Sequence, residues 1–316
     1  MATVLVTGAT GFVGRHVVPA LASAGWNVRA LAHRGRERVL GAQAVDIRHG
    51  DVTDAASLRD AVSGVDAVVH LVAVIRERRE STFRGINHLG TKRVVEAATD
   101  VGVQHFLQMS AIGARDDPAY PYLCTKWQGE QEVIRSGLPY TILRPSIQFG
   151  EGDEFFNMLA GVVRAFPVVP VPGSGRTRYQ PIAVEDVARC VALALGNEAH
   201  QGKTLELGGS QQYTYNHLLN LIAKTLQLKR VKMHIPVPLM RLIVWLLELV
   251  LPRPPVTTQQ LKMLPLHNIA QGPSVEELFG FQPRPLEGNI NYIRRITFGD
   301  ALRISLGSLP THIRDH

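Results

Sequence analysis

The sequence predicts an α/β fold, a doubly wound parallel sheet followed by a smaller C-terminal lobe. Three observations lead there. Short aliphatic runs alternate with segments of helical period from Val4 to Leu143. A glycine-spaced turn, Gly8, Gly11 and Gly14, joins the first such run to the first helical segment. After Arg144 the alternation loosens into chain rich in Pro, Val and Gly.

The first strand is Val4, Leu5 and Val6, a run suited to burial on both faces. The helix after it carries Phe12, Val13, Val17, Val18 and Leu21 at helical spacing. Between them, Gly8 permits a sharp turn. Gly11 lets a pyrophosphate approach the backbone N–H groups at the helix start, and Gly14 lets the helix pack close to the strand. Strand, glycine turn and helix in that order predict a dinucleotide site, the mark of a Rossmann-type domain.

Asn27 to Ala32 is the second strand, and it runs into His33 and Arg34, with Arg36 just beyond. An acidic residue there would hold both ribose hydroxyls of NAD, whereas a basic one accommodates the 2′-phosphate of NADP. The sequence therefore points to NADP(H) ahead of NAD(H). Val45 to Gly50 is the third strand. Asp51 follows at the sheet's carboxyl edge, where adenine would lie, and Asp54 reads as the N-cap of a helix over Ala55 to Val62. Val65 to Ala73 is the fourth strand, with His70 inside it as a core or cofactor-edge histidine. Phe83 to Thr99 has helical spacing and carries Asn87.

Gln104 to Ser110 is the fifth strand, Tyr120 to Ser136 a helix and Tyr140 to Leu143 the sixth strand. Helices over Phe155 to Phe166 and from Val184, and a short strand over Thr204 to Leu207, come next. The expected division is a nucleotide domain over 1–210, with some segments after 145 joining the second lobe, and a smaller lobe over most of 211–316. The predicted nucleotide contacts are Gly8, Thr10, Gly11, Phe12, Val13 and Gly14 in the turn, and His33, Arg34, Asp51 and Val52 at the next two strand ends. Leu71, Val72 and Ala73 after the fourth strand, with Asn87 and Lys126, complete the set.

Tyr122 and Lys126 stand four apart on one helix, hence on one face and one turn apart. A phenol with a pKa near 10 is a weak acid and its conjugate a strong base at neutral pH; a neighbouring cation lowers that value. Such a tyrosine could donate a proton to a carbonyl, or accept one from an alcohol, while hydride moves to or from nicotinamide. The lysine could also hold the nicotinamide ribose. The alternative is an aromatic and a cation exposed on a helix face.

Thr7-Gly8-Ala9-Thr10-Gly11-Phe12-Val13-Gly14, the Tyr122/Lys126 pair, Leu143-Arg144-Pro145 and Val184-Glu185-Asp186-Val187-Ala188 together resemble the extended short-chain dehydrogenase/reductase superfamily, over roughly residues 1–210. The resemblance implies that Tyr122 and Lys126 are catalytic, that Ser110 orients substrate, and that Asn87 has a structural and proton-relay role. Ser110 lies only 12 residues before Tyr122, a shorter loop than in sugar-nucleotide epimerases and dehydratases. This compact form is similar to the atypical members, above all to the NAD(P)H-binding accessory subunit of respiratory complex I and its bacterial relatives. There the nucleotide is regarded as structural. An enzyme, either an oxidoreductase or an epimerase, and a non-catalytic nucleotide-binding assembly subunit both remain open.

The 34 Lys and Arg against 27 Asp and Glu give a net charge of +7. The basic residues, including Arg76, Arg78, Arg79, Arg294 and Arg295, are scattered. That argues against a nucleic-acid stripe and suits anionic lipid, an acidic partner, a phosphorylated ligand or plain solvation. Cys124 and Cys190 are too few for a disulfide framework and form no Cys-x-x-Cys pair, so no metal is expected. There is no Gly-x-Ser-x-Gly elbow and no complete Walker loop. Met1 leads directly into the first strand, so the expected location is cytoplasmic, with a peripheral place at the inner face of a membrane as a variant. Leu239 to Leu251 is apolar nearly all round, bounded by Pro236, Pro238 and Pro252. Its first reading is a core helix. Its second is a surface helix bedding into a membrane or hydrophobic partner, with Trp245 at the interface and Arg241 and Arg253 facing lipid phosphates.

Overall fold

The computed structural model describes residues 1–41, 45–78, 80–251 and 256–314. Arg79, Pro252 and Arg253 lie outside the described residues. The chain begins β1 (Thr3–Thr7), α1 (Gly14–Ser23), β2 (Asn27–Ala32), β3 (Asp46–His49), α2 (Ala55–Val62), β4 (Ala67–His70), α3 (Leu89–Val101), β5 (His105–Met109), α4 (Pro121–Arg135) and β6 (Tyr140–Pro145). It continues with β7 (Gln148–Phe149), α5 (Phe155–Ala165), β8 (Val168–Pro172), β9 (Arg178–Tyr179), β10 (Ile182–Ala183), α6 (Val184–Ala194) and β11 (Lys203–Leu207). Then come β12 (Tyr213–Thr214), α7 (Tyr215–Thr225), β13 (Val231–Ile235), α8 (Val237–Val250), α9 (Thr258–Met263), α10 (Val275–Phe279), α11 (Phe298–Ser305) and α12 (Thr311–Arg314).

The chain divides into two units. The first takes Met1–Pro145, Val184–Leu207 and Gln271–Phe281; the second takes Ser146–Ala183, Gly208–Ala270 and Gln282–His316. The interleaving follows from pairing. β11 adds in parallel to β6, from Lys203 beside Thr141 to Leu207 beside Pro145, and so returns the chain to the main sheet.

The first unit is a seven-stranded parallel sheet in the order β11-β6-β5-β4-β1-β2-β3, a Rossmann-type architecture. Strand order reverses at β1, which lies between β2 and β4. Leu5, Val68 and Phe106 of the sheet share a core with Leu58 of α2, Val94 of α3 and Val133 of α4. α1 and α6 pack on each other. Every sheet strand but the edge strand β3 has a buried centre, as continuous aliphatic runs require.

In this unit two elements differ from expectation. The fourth strand ends at His70 rather than Ala73. After Leu71 N donates to Thr7 O, the chain leaves the sheet and Val74 is held by a side chain. The helix expected from Phe83 opens as a π-helical turn, Arg84–His88, before α3. Gly102, with φ +68°, ends α3.

The second unit has three two-stranded pairs, β7 with β10, β9 with β12 and β8 with β13. Its core gathers Phe156 and Leu159 of α5, Leu218 and Ile222 of α7, Ile293, and Ile304 of α11. α8 departs from its first reading: of its residues only Met240 and Val244 are buried, against Leu261. A helix apolar all round usually signals burial, but here one narrow stripe finds a partner. Among the described residues no helix is long and apolar enough to cross a membrane.

Candidate functional site

The glycine turn sits where the strand order reverses, the crevice at which open α/β sheets take ligands. Gly8 has φ +78°, and a Cβ there would lie 3.1 Å from Val72 N. Gly11 N donates to Gly8 O at 3.0 Å. At Gly14 a Cβ would lie 2.3 Å from Gly8 O, so only glycine lets α1 start against its own turn. Gly11 is exposed, and Thr10, Phe12 and Val13 are half-buried. No side chain caps α1 and no acid stands in its first turn. The N-terminal backbone donors therefore have no cap and no acid of their own turn to compete with an anion, and the turn fits a pyrophosphate.

The ends of β2 and β3 bring the ribose-side candidates together. Asp51 Oδ1 accepts from Thr53 N and Thr53 Oγ1, both at 2.7 Å. Its Oδ2 lies 3.6 Å from Nε2 of the exposed His33. Arg34 is exposed. Val52 turns inward to the core instead; a Cβ at Gly90 would meet its Cγ2 at 3.0 Å.

Leu71, Val72 and Ala73 lead from β4 to Val74. Asn87, fully buried, holds that segment with both halves of its amide. Its Oδ1 accepts from Val74 N at 2.8 Å and its Nδ2 donates to Val74 O at 3.0 Å. The geometry is that of a clamp. His70 lies in the core beneath, bonded to Thr7 Oγ1 at 2.7 Å and Thr91 Oγ1 at 3.0 Å. Burial, with Lys126 nearby, pushes its pKa down to about 3, so the ring is neutral.

α4 begins with Pro121 in its first turn and carries Tyr122 and Lys126 on one face. Lys126 is 1% exposed, and its Nζ donates to Met109 O, at the end of β5, at 2.6 Å. Burial lowers its pKa to about 8, against the pull of Glu130. Tyr122 is half-buried, its ring edge-on to Phe83 at 5.8 Å. Burial pushes its phenol up to about 12. The expected lowering by Lys126 is thus reversed. Desolvation disfavours the phenolate, and the ammonium is committed to a carbonyl. Ser110 is buried beyond Met109, its N donating to Leu143 O at 2.7 Å and its Oγ without a partner.

Two further buried or half-buried polar groups lie on the strands beside this helix. Arg144 of β6 grips Glu130 of α4 with both arms, Nε to Oε1 at 2.8 Å and Nη2 to Oε2 at 2.6 Å. Gln108 of β5 is fully buried and neither amide atom has a partner. Arg144 belongs to the Leu143-Arg144-Pro145 motif, whereas for Gln108 an amide inside a strand is the only sequence signal. The one His-x-x-x-His spacing in the sequence, His312 to His316, reaches outside the described residues. Among the described residues no group of three His, Cys, Asp or Glu could hold a metal.

Residues 4–208, most of the first unit together with Ser146–Ala183 of the second, match the NAD dependent epimerase/dehydratase family. The chain belongs to that family. Dinucleotide binding is supported by that membership. The chain is 30% identical over 227 residues to the Arabidopsis thaliana NADH dehydrogenase [ubiquinone] 1 alpha subcomplex subunit 9, covering 69% of this chain and 56% of that protein. It is 33% identical over 186 residues to a ceramide reductase of Caulobacter vibrioides, covering 58% of each. The chain thus spans a little over half the length of these two relatives. To the Rattus norvegicus counterpart of the first it is 31% identical over 306 residues, 92% of this chain and 79% of that one. Epimerase Mth375 of Methanothermobacter thermautotrophicus shares the fold with TM-score 0.73 and 19% identity, covering 96% of this chain and 94% of that one. The Thermus thermophilus UDP-glucose 4-epimerase shares it with TM-score 0.62 and 21% identity, over 74% and 86%.

Proposed function

We propose that the first unit binds NADP(H) and works as an oxidoreductase or epimerase, with Tyr122 as acid/base, Lys126 as its activator and Ser110 as the group that orients a small-molecule substrate. The observation that carries this is the burial of Lys126. An ammonium at 1% exposure with one carbonyl partner is costly to keep for structure alone. An ammonium has three N–H donors, and two remain for a ribose hydroxyl or a phenolate. Bound nicotinamide would supply hydride exchange with a carbonyl or carbinol carbon. Tyr122, protonated at neutral pH with its pKa near 12, is in the form that donates a proton to a substrate oxygen. Lys126, turning one of those remaining donors to the phenol oxygen, would bring that pKa down. Ser110 Oγ, buried and unpaired, is free to donate to the same oxygen.

The preference for NADP(H) rests on Arg34, exposed at the end of β2 where a 2′-phosphate would arrive. The nucleotide contacts proposed are those read from the sequence, with Val52 contributing backbone only.

A second reading is a nucleotide-binding accessory or assembly subunit without turnover, attached to a membrane or a membrane-embedded complex from the cytoplasmic side. What favours it is the likeness to the rat complex I subunit over 92% of this chain, together with a phenol packed on Phe83 and not paired to Lys126. The fate of bound nucleotide separates the two. An enzyme exchanges NADPH and oxidises it with a carbonyl substrate. A structural holder keeps it unchanged through dialysis. Screening carbonyl compounds by nicotinamide fluorescence, with Tyr122→Phe as the control, tests both.

A further inference from the structure

We infer that the second unit docks on an anionic lipid bilayer through α8, lying in the plane of the surface. This names the surface and the lipid chemistry for the membrane-partner reading above and rests on that reading only for the class of partner.

α8 leaves Leu239, Leu242, Trp245, Leu246, Leu249 and Val250 exposed, each by about half or more. Its two buried residues, Met240 and Val244, fix it to Leu261. Its one acid is turned to the protein, since Glu248 Oε1 accepts from Thr258 N at 2.9 Å. The exposed surface is therefore leucine, isoleucine, valine, tryptophan and Arg241. β13, which feeds α8 through Pro236, exposes Val231 by 67% and Met233 by 50% and carries Lys232 between them.

The charge distribution says what covers this face. The second unit has 15 Lys and Arg against 7 Asp and Glu, and the first has 19 against 20. The chain's whole positive excess thus lies in the unit that carries the bare apolar helix. A protein partner would be met by an apolar core ringed with hydrogen-bonding groups. Here a broad apolar face is combined with diffuse positive charge, which suits acyl chains beneath anionic headgroups. With 14 residues, α8 is about 21 Å long and too short to span a hydrocarbon core of about 30 Å. It lies along the surface.

Flotation of the full chain with vesicles tests this, using equimolar phosphatidylcholine and phosphatidylglycerol against phosphatidylcholine alone. The wild type should float with the anionic vesicles at low salt, with a blue shift in tryptophan emission that Trp245→Phe reduces. Leu242→Asp with Leu246→Asp should release it while keeping its melting temperature, both sites being exposed. Arg241→Glu, a surface change of two charges, should weaken partitioning on the order of thirtyfold at low salt. No retention of the wild type on anionic vesicles overturns the inference. If native membranes then still hold the protein, the partner is a membrane-embedded complex and the membrane-partner reading survives. Equal retention of a folded Asp double variant also overturns the inference. So does a concentration-dependent dimer, lost in that variant, with no vesicle binding.

Discussion

Lys126 Nζ donates to Met109 O at 2.6 Å, joining the catalytic-candidate helix to the end of the strand that carries Ser110. The lysine therefore waits on β5, one helical turn from a tyrosine whose pKa it does not lower. A nucleotide hydroxyl or a developing phenolate would meet the two N–H donors that this bond leaves over. The bond keeps the cation in the site at the cost of burying it.

Lys126→Met should keep or raise thermal stability, because an apolar side chain of similar length replaces a buried cation with one partner. It should abolish turnover. The pH dependence has a definite sign. The folded pKa, about 8, lies below the ordinary 10.5, so the unfolded chain binds more protons between these values. The stability cost is full below about pH 8 and is relieved as pH rises towards 10.5. Thermal melts across that range should show the advantage of the variant shrinking. A stability gap independent of pH would place the charge elsewhere.

Tyr122→Phe should bind NADPH as the wild type does and lose turnover, since only the hydroxyl is removed. Its Phe83 edge contact survives, so no loss of melting temperature is expected. Full activity in single-turnover assays would remove Tyr122 from the chemistry.

Arg34→Asp should lose affinity for NADP(H) and keep or gain affinity for NAD(H), on the order of tenfold for a charge-assisted phosphate contact. Calorimetric titration with both nucleotides measures it. Equal binding of the two by wild type and variant would sink the NADP preference.

Local signals made most of the sheet legible. β1 and β4 are aliphatic or β-branched runs, β2, β5 and β6 have apolar centres, and the glycine turn after β1 marks a dinucleotide site. The sequence leaves α8 open between core and surface because apolarity alone does not say whether a partner exists. Met240 and Val244 find one in Leu261, and Leu242 and Leu246 do not. β13 has no local signal because its pairing with β8 joins Val231 to Val168, a contact that only the tertiary fold creates. At the site, the Tyr–Lys spacing was readable, but the choice of Lys126 for Met109 O depends on how α4 lies over β5. The Glu130–Arg144 grip was hidden for the same reason, although both residues were visible.

That grip is testable on its own. Glu130 is 1% exposed on its side chain and Arg144 21%. Arg144→Met leaves a buried carboxylate without its fork and should cost about 3–5 kcal/mol in chemical denaturation. Adding Glu130→Gln should restore most of that loss, because the orphaned charge is gone. If the double variant is as unstable as the single one, the pair contributes by packing and not by charge.

The last expectation concerns the second unit, where Tyr292 donates to the buried carboxylate of Asp153. Asp153 also accepts from Phe156 N at 2.6 Å, capping the start of α5. Burial outweighs these bonds and pushes its pKa from 3.8 up to about 7. With the folded pKa raised, the native state holds more protons than the unfolded chain between these values, so stability falls as pH rises through them. Above about pH 7 the cost is complete. Asp153→Asn keeps an oxygen for Phe156 N and cannot ionise. Its stability relative to wild type should therefore improve from about pH 5 to about pH 8, by at most about 1.4 kcal/mol per pH unit. Comparing the two proteins in urea at each pH cancels the other titrating groups. A constant difference across the range would mean that Asp153 stays ionised, held by Tyr292 and the helix start.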